Sequence, residues 1–367
     1  MHPLIRRMQR ILTEHIDSFL LVCAMILISL GLAVLFSASD QSLPKISNQV
    51  INVAVACIVM WAIANIPPHQ LLRFALPLYI AGLVLLVGVA LFGEISNGAR
   101  RWLNLGVARI QPSELMKIAV PMMLAWYFDR HESAVTLRNY VIAAAILLVP
   151  VLLIARQPDL GTAILIASSG FFVLFFAGLS WRIMAGLFVC GLASLPVLWS
   201  ILHDYQKQRL LTLLDPSKDP LGAGYHTLQS MIAVGSGGIF GKGWLHGTQA
   251  HLDFLPEHTT DFIFAVFSEE FGLIGNLFLI FMYSLVIARG LTIAVNAPTL
   301  FSRLMAGSIT MTFFTYCFVN MGMVSGILPV VGVPLPLISY GGTSMVTMLL
   351  GFGILMSIHT HKKLVKT

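Results

Sequence analysis

Apolar residues in this chain occur in blocks of about 20, separated by short polar connections, and a block of that length forms a helix that can cross a membrane. The residues do not alternate in the way that lipid-facing barrel strands do. The pattern therefore predicts an all-α polytopic integral membrane protein with about ten transmembrane helices. We place these spans at residues 17–38, 48–66, 71–92, 113–128, 139–156, 162–178, 182–202, 262–288, 303–326 and 337–359.

The longest polar interval, at about residues 203–261, lies between the seventh and eighth predicted spans. It is rich in glycine and polar residues, and residues 225–234 within it favour a short helix at the membrane surface. The interval ends on Asp261, which stands directly before the apolar run 262–266. An ionisable residue at a membrane boundary is a candidate for function, because it is costly to place there. We expect one membrane domain, residues 1–367, with this interval as its large loop.

Composition agrees with the pattern, since 57% of the residues are hydrophobic and 10% are charged, against about 25% charged in soluble domains. An even number of spans places both termini on one side. Lysine and arginine favour cytoplasmic connections, and one side collects many more of them than the other. This predicts cytoplasmic termini and an outward-facing loop. The net charge of +6 then reflects the orientation in the membrane and does not indicate that the protein binds nucleic acid. The richer side has Arg6, Arg7, Arg10, Arg73, Arg130, Arg138, Arg182, Arg289, Arg303, Lys362, Lys363 and Lys366, and the other has Lys45, Arg100, Arg101, Arg109 and Arg156.

Two predicted spans begin with ionisable residues. Glu114 and Lys117 are three residues apart, on one face of the helix that begins near Pro112. They form either a self-neutralising pair or the lining of a polar cavity near the outer surface. Asp159 stands at the start of the sixth span, where it either caps the helix or has a functional role.

The polar loops contain two patterns that resemble known sites only partly. Residues 235–243 resemble a phosphate-binding P-loop, but Gly243 stands where Ser or Thr would bind magnesium. The histidines and acids of residues 246–261 match no zinc spacing. A divalent cation (Mg or Mn), held by Asp261 and a substrate diphosphate, is more plausible, because such ions prefer oxygen ligands. We expect no organic cofactor.

Four stretches closely match one family. They are QPSELMK at 111–117, GKGWLHGTQ at 241–249, LPE at 255–257 with TDFIFAV at 260–266, and PLPLISYGGTS at 334–344. Across its whole length the chain resembles the SEDS proteins (shape, elongation, division, sporulation). Residues 203–209 and 214–226 resemble most the elongation branch of that family, the RodA proteins.

The resemblance implies a peptidoglycan glycosyltransferase that polymerises lipid II, a disaccharide-pentapeptide on undecaprenyl diphosphate, during cell-wall elongation and rod-shape maintenance. It also implies an active site on the periplasmic face of the bacterial inner membrane, and partners that include a class B penicillin-binding protein transpeptidase and other proteins of the elongation complex. The family's catalytic acid falls on Asp261. Substrate-binding residues implied in the same way, together with our own candidates, are Arg101, Trp102, Arg109, Glu114, Lys117, Asp159, Gln206, Arg209, Ser339 and Tyr340.

One residue departs from the family. Many members have histidine two residues before the catalytic acid, whereas this chain has Thr259 there and His258 one position earlier. A mechanism in which that histidine carries protons is therefore doubtful here. Two other functions stay open from the residues alone: a flippase for the lipid-linked precursor, which ten spans and intramembrane charges would suit, and a noncatalytic scaffold. The clustering of ionisable residues near the outer face favours the enzyme.

Overall fold

The computed structural model describes residues 14–361, except 97–98, 105–108, 132–135, 158, 202–206, 208–210, 214–222 and 249–256. Long helices form most of the fold, and a small sheet lies between the third and fourth of them. The helices are α1 Ser18–Ala38, α2 Leu43–Ala64, α3 Pro68–Phe92, α4 Pro112–Arg130, α5 Leu137–Arg156, α6 Leu160–Phe176, α7 Trp181–Ile201, α8 Ala223–Ser236, α9 Ile263–Val295, α10 Leu300–Val324 and α11 Gly342–Thr360.

Each of the ten predicted spans overlaps one of these helices, and α8 is the short helix expected within the large loop. Among the described residues, seven helices are long and apolar enough to cross a membrane: α1, α2, α3, α5, α9, α10 and α11. α6 and Trp181–Pro196 of α7 are shorter apolar helices. The expectation of a helical, multi-pass membrane protein is confirmed.

α4 packs among five other helices although its sequence is less apolar than that of its neighbours. It carries Glu114, Lys117, Asp129 and Arg130, yet most of its side chains are buried against protein. Its neighbours are α3, α5, α6, α10 and α11. Because polar groups in a membrane protein are tolerated where they face the bundle interior, this central position accommodates the charges.

The peripheral helices expose large apolar side chains. Phe74, Val84, Leu152, Phe188 and Phe281 are all more than half exposed. Such a surface would be costly in water, but it suits contact with lipid chains. The buried side chains are concentrated instead on α4, α10 and α11, so the centre of the bundle is where ionisable groups can be paired.

A three-stranded antiparallel sheet, which the sequence did not predict, precedes α4. Its strands are β1 Glu94–Ser96, β2 Ala99–Asn104 and β3 Arg109–Ile110, in the order β1-β2-β3. Pairing of Leu103 with Ile110 returns the chain to Pro112, where α4 begins. The sheet therefore fixes where the polar start of α4 lies. Such short strands have too few residues to give a recognisable period-2 pattern.

α9 is kinked at Gly272, whose backbone is non-helical (φ 64°, ψ −159°). The glycine-rich loop after α8 fills the kink. Leu273 N–H donates to Gly238 O at 2.9 Å and Ile274 N–H to Ile239 O at 3.1 Å. Loop carbonyls thus accept the hydrogen bonds that the helix has lost at the kink, which accounts for the bend in physical terms.

The two ends of the described chain meet at one end of the bundle. Asp17 caps α1 through the N–H of Leu20 at 2.9 Å and binds Arg289 of α9 at 2.5 Å. His15 stacks on His361 with ring centroids 4.1 Å apart. The two ends of the described chain therefore lie on the same side of the bundle, which agrees with an even number of spans.

Candidate active site

Asp261 lies on a tight turn that directly precedes α9, and it is partly exposed. Within the turn, Glu257 O accepts the N–H groups of Thr260 and Phe262 at 3.1 and 3.2 Å. The segment before α11 packs against this turn. That segment is irregular, and α11 begins only at Gly342, five residues later than predicted.

Three successive carbonyls of the turn accept hydrogen bonds from other parts of the chain. Thr259 O accepts from Tyr340 N–H at 3.0 Å, and Thr260 O accepts from Ser339 Oγ–H at 2.6 Å. Asp261 O accepts from Asn320 Nδ2 of α10 at 2.8 Å. The backbone that carries Asp261 is therefore held by contacts remote in sequence.

Gly332 approaches the carboxyl group of Asp261 from the loop between α10 and α11. A Cβ at this position would lie 3.2 Å from Asp261 Oδ2, and the residue has φ +72°. That conformation favours glycine, because it brings a side chain too close to its own backbone. The backbone of the loop can thus lie against the carboxyl group.

Glu114 and Lys117 form a buried ion pair at the start of α4. Lys117 Nζ lies 2.5 Å from Glu114 Oε1, and the side chains are 7% and 15% exposed. Thr347 of α11 donates to Glu114 Oε2 at 3.2 Å. The Lys117 ammonium also lies over the ring of Tyr316, 5.1 Å from its centroid, where the negative face of the ring attracts it.

One face of α10 connects the ion pair to the Asp261 turn. Tyr316 contacts Lys117, and Asn320, four residues later, binds Asp261 O. Residues four apart are neighbours on a helix surface. Asp261 and the Glu114–Lys117 pair, which lie on separate segments of the sequence, thus both contact α10.

Asp159 caps α6, as one of the two interpretations of the sequence had it. Its carboxylate accepts Thr162 N–H at 3.2 Å and is buried. Gly161 packs against Val331 O, so α6 begins beside the loop that approaches Asp261.

The remaining candidates have different settings. Ser339 is buried. Its hydroxyl oxygen accepts a hydrogen bond from Leu335 N–H at 2.7 Å, and the hydroxyl donates to Thr260 O. Tyr340 contacts the turn through its backbone. Trp102 lies on β2, opposite Glu94. Arg101 and Arg109 have strand positions on β2 and β3, but their side chains lie outside the described part of the structure, as do Gln206 and Arg209.

A long groove opens between α2, α3, α4 and α11, with a volume of about 710 Å³. Polar residues, among them Asn52, Gln111 and Glu114, line the end near the start of α4. The lining elsewhere is mostly apolar and continues to Ile66 and Leu71 at the opposite end of these helices. The groove joins a polar region that includes Glu114 to an apolar channel along the membrane-spanning helices.

Comparison with known proteins identifies the family. A family model described as cell cycle protein, that of the FtsW/RodA/SpoVE proteins, matches residues 17–364. The chain belongs to this family. It is similar to the peptidoglycan glycosyltransferase MrdB of Escherichia coli K12, at 53% identity over 351 residues, which cover 95% of each chain.

Solved structures of FtsW/RodA/SpoVE proteins share the fold. A chain in the structure of a peptidoglycan synthase complex, which describes the coordination of polymerisation and crosslinking, has a TM-score of 0.82 and 31% identity, covering 94% of this chain and 98% of that one. The rod shape determining protein RodA of Thermus thermophilus has a TM-score of 0.71 and 29% identity, covering 94% and 96%. The family and fold expected from the motifs are confirmed.

Sequence reasoning missed two residues of the candidate site, Tyr316 and Asn320. A signal was present, because a tyrosine and an asparagine four residues apart within the apolar span 303–326 share one helix face. It also passed over Glu269 and Glu270, which are buried in α9. Glu269 accepts Lys242 Nζ at 2.6 Å, so the lysine of the apparent P-loop is paired with an acid.

Among the described residues, no group of three or more His, Cys, Asp or Glu side chains is arranged to hold a metal ion. Asp261 supplies one carboxylate. Mg²⁺ commonly binds through one or two carboxylates together with substrate phosphates and water. The residues therefore fit a cation that arrives with a diphosphate better than one held by the protein alone.

Proposed function

We propose that this peptidoglycan glycosyltransferase polymerises lipid II into glycan strands at the site centred on Asp261. The observation that carries the proposal is the partly exposed carboxylate on a turn whose backbone is fixed by three remote hydrogen bonds. Catalytic groups must be held in a productive geometry, and the hydrogen bonds that fix this turn support such a role for Asp261. The 53% identity to a peptidoglycan glycosyltransferase supports the reaction class.

In the proposed reaction, a sugar hydroxyl of one substrate attacks the anomeric carbon of another. The new glycosidic C–O bond forms as the bond to the diphosphate breaks, with inversion at the anomeric carbon. Asp261 either accepts the hydroxyl proton as a general base or orients the hydroxyl through a bound cation. The diphosphate leaves with the electron pair of the broken bond. Lys117, Arg101 and Arg109 are the cationic residues that we propose stabilise its negative charge.

A divalent cation would be held by Asp261 and the diphosphate, and when bound it would neutralise negative charge on the leaving group. The other proposed substrate-binding residues are Trp102, Glu114, Asp159, Gln206, Arg209, Ser339 and Tyr340. For Ser339 the hydrogen bonds to the turn support a role in holding Asp261 rather than the substrate.

The groove between α2, α3, α4 and α11 suits the polyprenyl chain of such a substrate. Its apolar length runs along the membrane helices, and its polar end includes Glu114, the partner of Lys117. A diphosphate-linked lipid has the same division into a charged head and a long apolar tail. The substrate could then enter from the membrane without leaving the lipid phase.

We further propose cytoplasmic termini, a periplasmic active site in the bacterial inner membrane, and a class B penicillin-binding protein as partner. The excess of Lys and Arg on the side of the termini supports the orientation. The partner is supported by the similarity to a chain of a peptidoglycan synthase complex that couples polymerisation and crosslinking.

The test is polymerisation of labelled lipid II by purified protein with its partner and Mg²⁺, comparing wild type with Asp261→Asn. Asparagine keeps the shape of the side chain and removes the carboxylate, so we expect glycan chains from wild type and none from the variant. Glu257→Gln is the matched control, because Glu257 is an exposed acid on the same turn. Chains made by Asp261→Asn at the wild-type rate would refute the assignment. Wild-type protein that made none would direct attention to a flipping assay.

A further inference from the structure

Asn320 makes two hydrogen bonds with the backbone on either side of the Asp261 carboxyl group. Its Nδ2 donates to Asp261 O at 2.8 Å and to Val333 O at 2.6 Å. Val333 follows Gly332, whose backbone lies against Asp261 Oδ2. A single amide group thus joins the turn that carries the carboxylate to the loop that faces it.

The chemistry of the amide explains why asparagine suits this position. Both neighbours are carbonyl oxygens, so the NH₂ group and not the amide oxygen must face them. A serine at this position has one hydroxyl proton to donate, and an ionised aspartate has none. Asn320 is fully buried in α10, where water cannot easily replace a lost donor.

The remaining contacts of the turn define what Asn320 adds. Ser339 and Tyr340 hold the carbonyls of Thr260 and Thr259, and Glu257 O closes the turn internally. None of these bonds involves Asn320, so its loss should loosen the turn without abolishing it. The carbonyl of Asp261 itself and the facing loop at Val333 are the parts that would be released.

We propose that Asn320 is a positioning residue for the polymerisation reaction, which sets the place of the Asp261 carboxylate relative to the Gly332–Val333 backbone. The proposal rests on the function proposed above for Asp261. Asn320 does not touch the substrate in this role. It acts through the main chain of the catalytic residue, and its effect falls on the rate of the bound complex rather than on substrate binding.

Two variants of nearly the same size as asparagine test the donors. Asn320→Leu and Asn320→Asp both remove the NH₂ group, one without charge and one with it. A displacement of about 1 Å at a catalytic group can lower a rate about 100-fold, so we expect kcat for lipid II polymerisation to fall by up to about that factor with KM unchanged. Asn320→Leu adds no buried charge, so it keeps the test valid if Asn320→Asp does not fold.

Ser308→Ala is the matched control. Ser308 is fully buried on the same helix and donates to Ser169 O at 2.8 Å, so this variant also removes a buried interhelical hydrogen bond but does not contact the turn. We expect its kcat to match that of wild type. A wild-type kcat for Asn320→Leu, or an equal loss in kcat for Ser308→Ala, would overturn the proposal.

Hydrogen exchange separates this proposal from the one on which it rests. In Asn320→Leu the amides of residues 257–262 and 332–335 should exchange faster than in wild type, while those near Ser308 should not change. This readout does not depend on catalysis. If Asp261→Asn polymerises at the wild-type rate, the assignment of Asp261 fails, and unchanged exchange at 257–262 in Asn320→Leu would show separately that Asn320 does not hold the turn.

Discussion

Single residues at this site are selected by backbone geometry as much as by chemistry. Gly332 has φ +72° and approaches Asp261 Oδ2, and Asn320 supplies two donors to carbonyls. Neither residue carries charge, and neither stands out in a search for acids and bases. Both nevertheless lie against Asp261, the candidate acid that the sequence suggested.

Gly332→Ala should lower kcat for polymerisation strongly while lowering the melting temperature only modestly. A left-handed backbone costs a non-glycine residue about 1–2 kcal/mol, and here the added Cβ would also press on Asp261. The measurement is kcat together with the melting temperature. Gly326→Ala is the control, because Gly326 has the same φ of +72° but its Cβ would meet the flexible Met231 side chain. Equal activity losses in the two variants would mean that contact with Asp261 is unimportant.

At the scale of elements, the kink of α9 and the glycine-rich loop form one unit. Glu269, next to the kink, accepts Lys242 Nζ at 2.6 Å, Thr248 N–H at 2.9 Å and Thr248 Oγ–H at 2.8 Å. Glu270 accepts from Ser37 and from Leu245 N–H. The first turns of α9, which begin just after Asp261, are thus tied to the large loop and to α1.

Gly241→Ala should destabilise the protein by at least about 2 kcal/mol, because φ of +80° strains a side chain and the new Cβ would lie 2.1 Å from Glu270 O. The readout is the melting temperature in detergent. Gly235→Ala provides the comparison, since nothing lies within 4 Å of a Cβ there and the residue is in α8. It should be neutral or slightly stabilising. A Gly241→Ala protein as stable as wild type would show that the loop does not dock on the kink.

At the scale of the whole molecule, the two ends of the described chain close the bundle on one side. The Asp17 carboxylate binds Arg289 and lies 3.4 Å from His359. Burial alone would raise the pKa of Asp17, but the hydrogen bonds from Arg289 and Leu20 N–H outweigh it and hold the pKa below its usual value. α1 and α9 are joined there by charge, and His359 places α11 beside the same pair.

Stability should fall as the pH drops below about 6.5, the pKa of an unfolded histidine. Burial lowers the pKa of His361, and the nearby His15 and His69 lower it further, against the opposing effect of the Ser357 carbonyl. The unfolded chain therefore binds more protons than the folded one in this range, and acid favours unfolding. Melting temperatures between pH 5 and 8 provide the measurement. His361→Gln should weaken the dependence, and an unchanged slope in that variant would contradict this origin.

The amino-acid sequence was sufficient for the helical membrane fold and the family, because both depend on local features. Blocks of apolar residues define helices whatever surrounds them, and motifs such as 334–344 lie contiguous in the chain. The sequence also predicted the loop helix, and it left open whether Glu114 and Lys117 form a pair or line a cavity. The orientation of the bundle and the roles of the site residues stay predictions.

The sheet at 94–110 and the kink at Gly272 could not be read from the sequence. Strands of two to six residues carry little periodic signal, and the kink exists because a loop more than 30 residues earlier in the chain supplies the carbonyls that replace helical hydrogen bonds.

The sequence by itself determined a membrane-spanning helical protein of the FtsW/RodA/SpoVE family and named Asp261 as its candidate acid, because hydrophobic length and contiguous motifs are properties of the chain alone. Only the tertiary structure decided how that acid is held. Its turn is fixed by Asn320, Ser339 and Tyr340, which lie about 60 to 80 residues away in sequence, and hydrogen bonds across such separations depend on how the helices pack.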